Sequence, residues 1–289
     1  MAEPQRSVLV TGATAGIGRH AALHFARRGF HVIATGRKAP ALETLRADAK
    51  DHRLDTVVLD VNDSAAVAAA VATVDGLTGG HGVDVLINNA GFAAVGAMAE
   101  MADDDLRALF DTNVFGLMAV TRAFVPKMIA RRSGRIINVS SSGGRISLPM
   151  VGGYHAAKFA VEAMSDALRW ELAPFGIRVV LIEPGPIRSE FGDRMLESLD
   201  RVRPDSVYTP IYANVKKVQA FAEARMKGPE TVVRAMERAA VARRPRARYM
   251  MPWYFGVGIA LFHMLPVRFA DWLMCKITGL TRQRLLPGG

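Results

Sequence analysis

The sequence predicts an α/β fold in which helices cover both faces of a parallel sheet within one domain. Three observations lead there. Ser7 to Val10 is a short apolar strand that runs directly into Thr11-Gly12-Ala13-Thr14-Ala15-Gly16-Ile17-Gly18 and then into a helical pattern. Apolar strands alternate with helical patterns along the chain, and parallel strands joined by right-handed helical crossovers give a doubly wound sheet. At 289 residues and 50% hydrophobic content the chain can bury a large core, and α/β folds of this size commonly form one domain. No linker or internal repeat interrupts it.

Each element has its own reason. In the first turn, Gly12 permits the tight bend, Gly16 lets backbone approach a pyrophosphate, and Gly18 lets the helix pack close to the strand. A helical pattern from Arg19 to Arg28 follows, then a strand from His31 to Thr35 that ends in Gly36-Arg37-Lys38. The third strand ends at Asp60-Val61, and the Ala-rich stretch within Ser64 to Leu77 reads as a surface helix. Val85 to Ile87 stops abruptly in Asn88-Asn89-Ala90-Gly91. Helices are expected over Asp103 to Arg131 and Tyr154 to Ala173, with a strand from Arg135 between them that ends in Ser140-Ser141-Ser142. The carboxyl ends of parallel strands line the ligand crevice, so these amides and serines should gather on one edge.

Tyr154 and Lys158 are four residues apart, which on a helix puts a phenol and an ammonium side by side. A fixed positive charge favours phenolate, so Lys158 is expected to pull the Tyr154 pKa from about 10 toward physiological pH. That would make Tyr154 a general acid and base. His155 points to a different helix face and is assigned no chemistry. Asn113 lies in an otherwise apolar run, where one reading is that it satisfies a neighbouring backbone group.

Taken in order, the glycine turn, the Asn-Asn-Ala-Gly strand end, the serine, the Tyr-x-x-x-Lys helix and Pro184-Gly185 resemble the short-chain dehydrogenase/reductase family of the classical type. The resemblance runs from residue 7 to about 250. It implies a Rossmann-type fold and reversible hydride transfer between a nicotinamide cofactor and a carbonyl or alcohol. By position, Tyr154 would be the proton donor, Ser141 would hold the substrate oxygen, and Lys158 would bind the ribose and tune the tyrosine. Asn113 matches the family asparagine of a water-linked proton relay. The cofactor-binding positions carried over are Gly12, Thr14, Gly16, Ile17, Gly18, Asn88, Ala90, Gly91, Tyr154, Lys158, Pro184, Gly185, Ile187 and Ser189, with Asp60 and Val61 at the adenine. No metal site is expected.

Cofactor choice follows from the second strand. An acidic residue there would grip the adenosine-ribose hydroxyls of NAD, whereas arginine accommodates a 2′-phosphate. Arg37 stands where the acid would be, and a guanidinium binds phosphate through paired, charge-assisted hydrogen bonds. NADP(H) is therefore expected, although Ala15 occupies the turn position where many NADP-preferring relatives carry a basic residue. Arg19 or Lys38 are the substitutes at hand.

Residues 1–252 are read as the catalytic domain, with 186–229 as its substrate segment, and 253–289 as an apolar helical extension. Phe191, Met195, Tyr208, Ile211 and Phe221 are available to a pocket. The extension resembles that of members acting on steroids, retinoids or long-chain compounds; a 3-oxoacyl thioester reductase and a non-catalytic NADP-binding regulator are the alternatives. The apolar run from Met250 to Leu265 falls short of the roughly 20 residues that span a bilayer. It is a core or dimer element, a pocket wall, or an interfacial segment beside Arg243, Arg244, Arg246 and Arg248. A single cysteine, Cys275, excludes an intrachain disulfide. With no apolar leader before Ser7, a cytoplasmic homo-oligomer, dimer or tetramer, is expected, with peripheral membrane contact through the extension. The net charge of +10 comes without a nucleic-acid-binding pattern, so no nucleic-acid partner is expected.

Overall fold

The computed structural model describes residues 6–213, 215 and 226–286. Phe221, one of the expected pocket residues, lies outside them. Seven parallel strands form one sheet in the order β3-β2-β1-β4-β5-β6-β7. These are β1 (Ser7–Val10), β2 (His31–Gly36), β3 (Leu54–Val58), β4 (Val85–Asn88), β5 (Gly134–Val139), β6 (Ile177–Pro184) and β7 (Arg248–Met251). β1 pairs with β2 on one side and β4 on the other, Val8 facing both Val32 and Val85, so the winding direction reverses at β1.

Because the side-chain period of a strand is two, each strand feeds both faces. Val8, Val10, Val32, Ala34, Val85 and Ile87 enter one core with α1 (Gly16–Arg27) and α8 (Glu230–Val241). Leu9, Ile33, Leu86 and Ile136 enter the other with α3 (Ser64–Leu77) and α5 (Leu117–Ala130). Asp63 caps α3, its carboxylate accepting from the Ala65 and Ala66 backbone N–H groups.

Four departures from the sequence reading concern the elements. The first helix begins at Gly16 rather than Arg19, because the cradle is itself the first turn of α1. A helix the strand count passed over, α2 (Ala39–Asp48), opens with a proline in its first turn, where the missing N–H costs nothing. β3 stops at Val58, so Asp60 and Val61 lie beyond it on the crevice edge. The single helix expected over Asp103 to Arg131 is α4 (Asp103–Phe110), a π-helical turn (Asp111–Gly116) and α5.

α6 spans Gly152–Leu172 and α7 Glu190–Glu197. The extension folds as α9 (Trp253–His263), α10 (Val267–Thr278) and the short α11 (Arg282–Leu285). Leu280 and Leu285 pack into the cluster formed by Val95, Met150, Ile211 and Tyr212, together with Met195 and Tyr208. His263 Nε2 lies 2.7 Å from the Arg145 carbonyl. The outer side stays open to solvent, with Trp253 72% and Met264 80% exposed.

Arg243, Arg244 and Arg246 precede β7 and α9 follows it, so the strand's four residues, about 13 Å, separate them. Arg248 is spent on Glu162 (3.0 Å) and Asp166 (2.7 Å), which fasten β7 to α6. Among the described residues one helical run, Asp103–Ala130, is long and apolar enough to cross a membrane, and 44% of that window is buried in the protein.

Candidate active site

The glycine turn is held by the strand end beside it. Asn89 Nδ2 donates to the carbonyls of Thr11 (3.0 Å) and Gly12 (3.2 Å), and the Thr11 hydroxyl accepts from the backbone N–H groups of Asn89 (2.9 Å) and Ala90 (3.0 Å). Gly12 has φ +64°, and a Cβ there would sit 2.8 Å from the Ala90 Cα. A Cβ on Gly18 would meet both the Gly12 carbonyl oxygen and Asn89 Nδ2 at 2.4 Å. Only glycine lets β1, β4 and α1 approach this closely, and the result is a glycine-lined helix N-terminus, the geometry that holds a diphosphate. The residues present therefore fit a dinucleotide.

Around this cradle lie the other expected positions. Thr14 packs over Gly36, whose Cβ would come within 2.6 Å of its methyl group. The Arg37 guanidinium is 73% exposed and stands 4.0 Å from Asp60, a loose contact that leaves its donors available. Arg19, one of the substitutes, is instead paired with Asp48. Ile187 and Ser189 follow β6 into α7, and Ser189 lies beside Gly16. Asn88 is different. Its amide donates to Thr121 Oγ1 and to Asn138 Oδ1, both at 2.9 Å, and Asn138 donates on to Ser165. That side chain is committed to a buried network locking β4, β5, α5 and α6, so its part in cofactor binding is to support the strand end.

At the catalytic positions, Tyr154 and Lys158 share the inner face of α6. Lys158 Nζ donates to the Val139 carbonyl (2.9 Å) and lies 5.7 Å from the Tyr154 ring centroid. Ser141 caps the turn after β5, its Oγ accepting from the Gly143 N–H (3.0 Å). Asn113, fully buried in the π-helical turn, donates to the carbonyls of Phe92 (3.0 Å) and Leu109 (2.9 Å). Its Oδ1 has no partner among the described residues. A Cβ on Gly91 would lie 2.3 Å from that oxygen and 3.8 Å from Lys158 Nζ, so Gly91 leaves a gap between an unspent acceptor and the lysine.

The chain matches the family model for short chain dehydrogenase over residues 6–199. It belongs to the short-chain dehydrogenase/reductase family. Mouse retinol dehydrogenase 7 is 33% identical over 256 residues, 85% of this chain and 80% of that protein. The NADPH-dependent 3-dehydrocapnine reductase of Ornithobacterium rhinotracheale is 33% identical over 281 residues, 94% of this chain and 96% of its own. A crystal structure of a short-chain dehydrogenase from Streptomyces avermitilis superposes with a TM-score of 0.79 at 31% identity, covering 96% of this chain and 98% of that one. The chain is thus an oxidoreductase acting on CH-OH groups.

In this short-chain dehydrogenase the electrostatics of the tyrosine differ from the expectation. Burial pushes the Tyr154 pKa up to about 12, only partly offset by its hydrogen bond with Ser141. Burial also brings Lys158 down to about 8, against the raising effect of Glu162. The low dielectric that strengthens an ion pair penalises each charge first. Tyr154 is therefore a protonated phenol at neutral pH. His155 is held near 4 by burial, its Nδ1 accepting from the Leu148 N–H (2.8 Å).

The surroundings of the phenol are apolar. Ala93, Ala94, Leu109, Phe92, Met101 and Met195 cluster on Tyr154, and the Phe191 ring lies 5.7 Å from its ring. Of the expected pocket residues, Phe191 and Met195 reach the tyrosine, while Tyr208 and Ile211 build the wall behind Met195. The sequence reading missed Thr11 and Asn89, whose doubled amide was the available signal. It also missed Glu190, whose carboxylate accepts from the Gly16 N–H at 3.2 Å across the cradle mouth. Nothing local announced that contact.

Proposed function

We propose that this short-chain dehydrogenase is an NADP(H)-dependent enzyme interconverting an apolar ketone or aldehyde and its alcohol, of steroid, retinoid or long-chain type. The observation that carries the reading is Tyr154, a protonated phenol inside a wall of Phe92, Met101, Phe191 and Met195 with the Ser141 hydroxyl beside it. Such a wall favours an apolar group around a single hydrogen-bonded oxygen. When bound, the nicotinamide supplies the hydride in reduction and accepts it in oxidation. The chain's own residues handle the proton. The Ser141 and Tyr154 hydroxyls donate to the substrate oxygen, Tyr154 gives up its proton as that oxygen gains charge, and Lys158 stabilises the phenolate left behind. Asn113 Oδ1, facing Lys158 across Gly91, would seat the first water of the path that returns the proton.

NADP(H) over NAD(H) rests on Arg37, which no carboxylate holds closely. A charge-assisted contact is worth about 1.5 to 3 kcal/mol, so Arg37→Asp should move selectivity toward NADH by roughly one to two decades. Turnover measured with both cofactors on a carbonyl panel tests this. Wild-type preference for NADH, or faster turnover of small polar carbonyls than of long apolar ones, would overturn the reading. We also infer that the exposed aromatic side of α9 and α10, with Trp253, Phe269 and Trp272 outward and Arg268 and Lys276 beside them, lets a cytoplasmic enzyme rest on a lipid surface. Flotation with liposomes checks it, and a soluble dimer that ignores them would refute it.

A further inference from the structure

On the sheet edge opposite the crevice, where β1, β5 and β6 begin, Arg6, Arg135, Arg178 and Arg243 line a cavity of about 260 Å³ beside Asp84. Among the described residues Arg19, Arg28, Arg37, Arg145, Arg169, Arg201, Arg203 and Arg248 form ion pairs with acids. These four form none among the described residues. Asp84 is the one carboxylate in the lining, and a single negative charge leaves the four guanidiniums in excess. Oδ2 accepts from the Ser7 N–H (2.7 Å) and hydroxyl (3.0 Å), and Oδ1 pairs with His81 (3.0 Å).

Two of the four are also fixed in place. Arg6 donates to the Ala240 carbonyl (3.0 Å) and Arg135 to the Ala242 carbonyl, the open C-terminal end of α8. Each anchor holds one side of a guanidinium and orients the rest. In Arg135 the remaining Nη1 is buried with no partner among the described residues. Burial, then the charges of Arg6 and Arg178, hold Arg135 below its ordinary pKa. Leaving a guanidinium nitrogen buried and bare is costly, as is gathering like charges around it. Both costs vanish when a doubly charged oxygen-bearing anion sits among the forks, whose paired N–H groups match its oxygens.

We propose that this cavity is an oxoanion site that takes a phosphate group, separate from the cofactor cradle. The occupant is free phosphate or the phosphate of a lipid headgroup, and the inward position of Arg135 Nη1 requires that the group enter the cavity rather than rest on its rim.

The test is thermal unfolding of the full chain titrated with inorganic phosphate, with chloride adjusted to keep ionic strength constant. A ligand that binds only the folded state raises the melting temperature with concentration. The variant is Arg178→Gln with Arg243→Gln, since both side chains are exposed and neither makes a side-chain hydrogen bond among the described residues. Wild type should gain stability with phosphate, and the double variant should bind it at least about tenfold more weakly. An Arg37→Asp variant should respond like wild type, which separates this cavity from the cradle. Equal stabilisation of wild type and double variant, or loss of the response in Arg37→Asp alone, would overturn the site. Flotation with phosphatidic acid vesicles identifies the source: binding competed by phosphate and lost in the double variant indicates a headgroup, and a phosphate response with flotation absent, or unchanged in the double variant and so owed to α9 and α10, indicates the free ion.

Discussion

At Tyr154, two effects of opposite sign act on one phenol, and burial is the larger. The group keeps its proton until about pH 12, so it is a ready acid, and its conversion to a base waits on Lys158 and a bound cofactor. Tyr154→Phe keeps the ring and its packing but removes the proton. Turnover should fall by roughly 10² to 10⁴ while NADPH binding, followed by fluorescence titration, persists. Lys158 offers a second reading of the same environment. Its folded pKa of about 8 lies below its ordinary 10.5, so between these values the unfolded chain holds a proton that the folded one has released. Stability therefore rises with pH across that window. Urea midpoints from pH 8 to 10 should climb for wild type and stay flatter for Lys158→Met; a rise of equal size in both would remove Lys158 as the cause. Spacing pointed to Tyr154 and Lys158, and the family resemblance added Ser141 and Asn113. Their protonation was not legible, because spacing shows which charge is near and says nothing of how much water has been excluded.

One element decides where the relay oxygen points. A π-helical turn inserts an extra residue into the ladder, and Asn113 sits in that turn with both amide hydrogens spent on carbonyls and its oxygen free. Gly91 must stay small for that oxygen to remain accessible. Gly91→Ala would put a methyl 2.3 Å from it, an overpacking that costs about 1 to 3 kcal/mol. Denaturant midpoints should drop accordingly and turnover should fall with them, whereas Gly76→Ala, in α3 with a methyl that meets nothing within 4 Å, should leave turnover unchanged and hold or slightly raise the midpoint. The sequence shows the helix through its apolar periodicity, yet a single wide turn leaves that periodicity nearly intact, so the break at Asp111 was invisible. The strands were legible for the converse reason: short apolar runs ending in glycine, amide or serine mark their own boundaries.

Across the whole molecule, the division into a nucleotide side and a substrate side is uneven in sequence. The glycine turn and the strand end that holds it are in place by Gly91, and Ser189 and Glu190 complete the cradle mouth, whereas the wall behind Met195 is closed by Leu280 and Leu285. Truncation after Met251 should accordingly spare NADPH binding and lower turnover of long apolar carbonyls well beyond that of small soluble ones. Equal losses on both, in a truncated chain that still melts cooperatively, would show that the extension supports the core generally. These contacts escaped the sequence reading because they join residues far apart along the chain, and amphipathic helices do not name the surface they cover.

That unevenness also has a direction in time. Ribosomes add about 5 to 20 residues per second, so roughly 10 to 40 s pass between synthesis of Gly91 and of Leu285. Through that interval the nascent chain carries the first strands of a nucleotide cradle, and Val95, Met150 and Ile211, as each is added, wait for their last covering layer. The apolar surface around the substrate wall is the part of this protein that a chaperone would meet, and a chain cut short between Met251 and Leu280 would be complete where the cofactor sits and open where the substrate does.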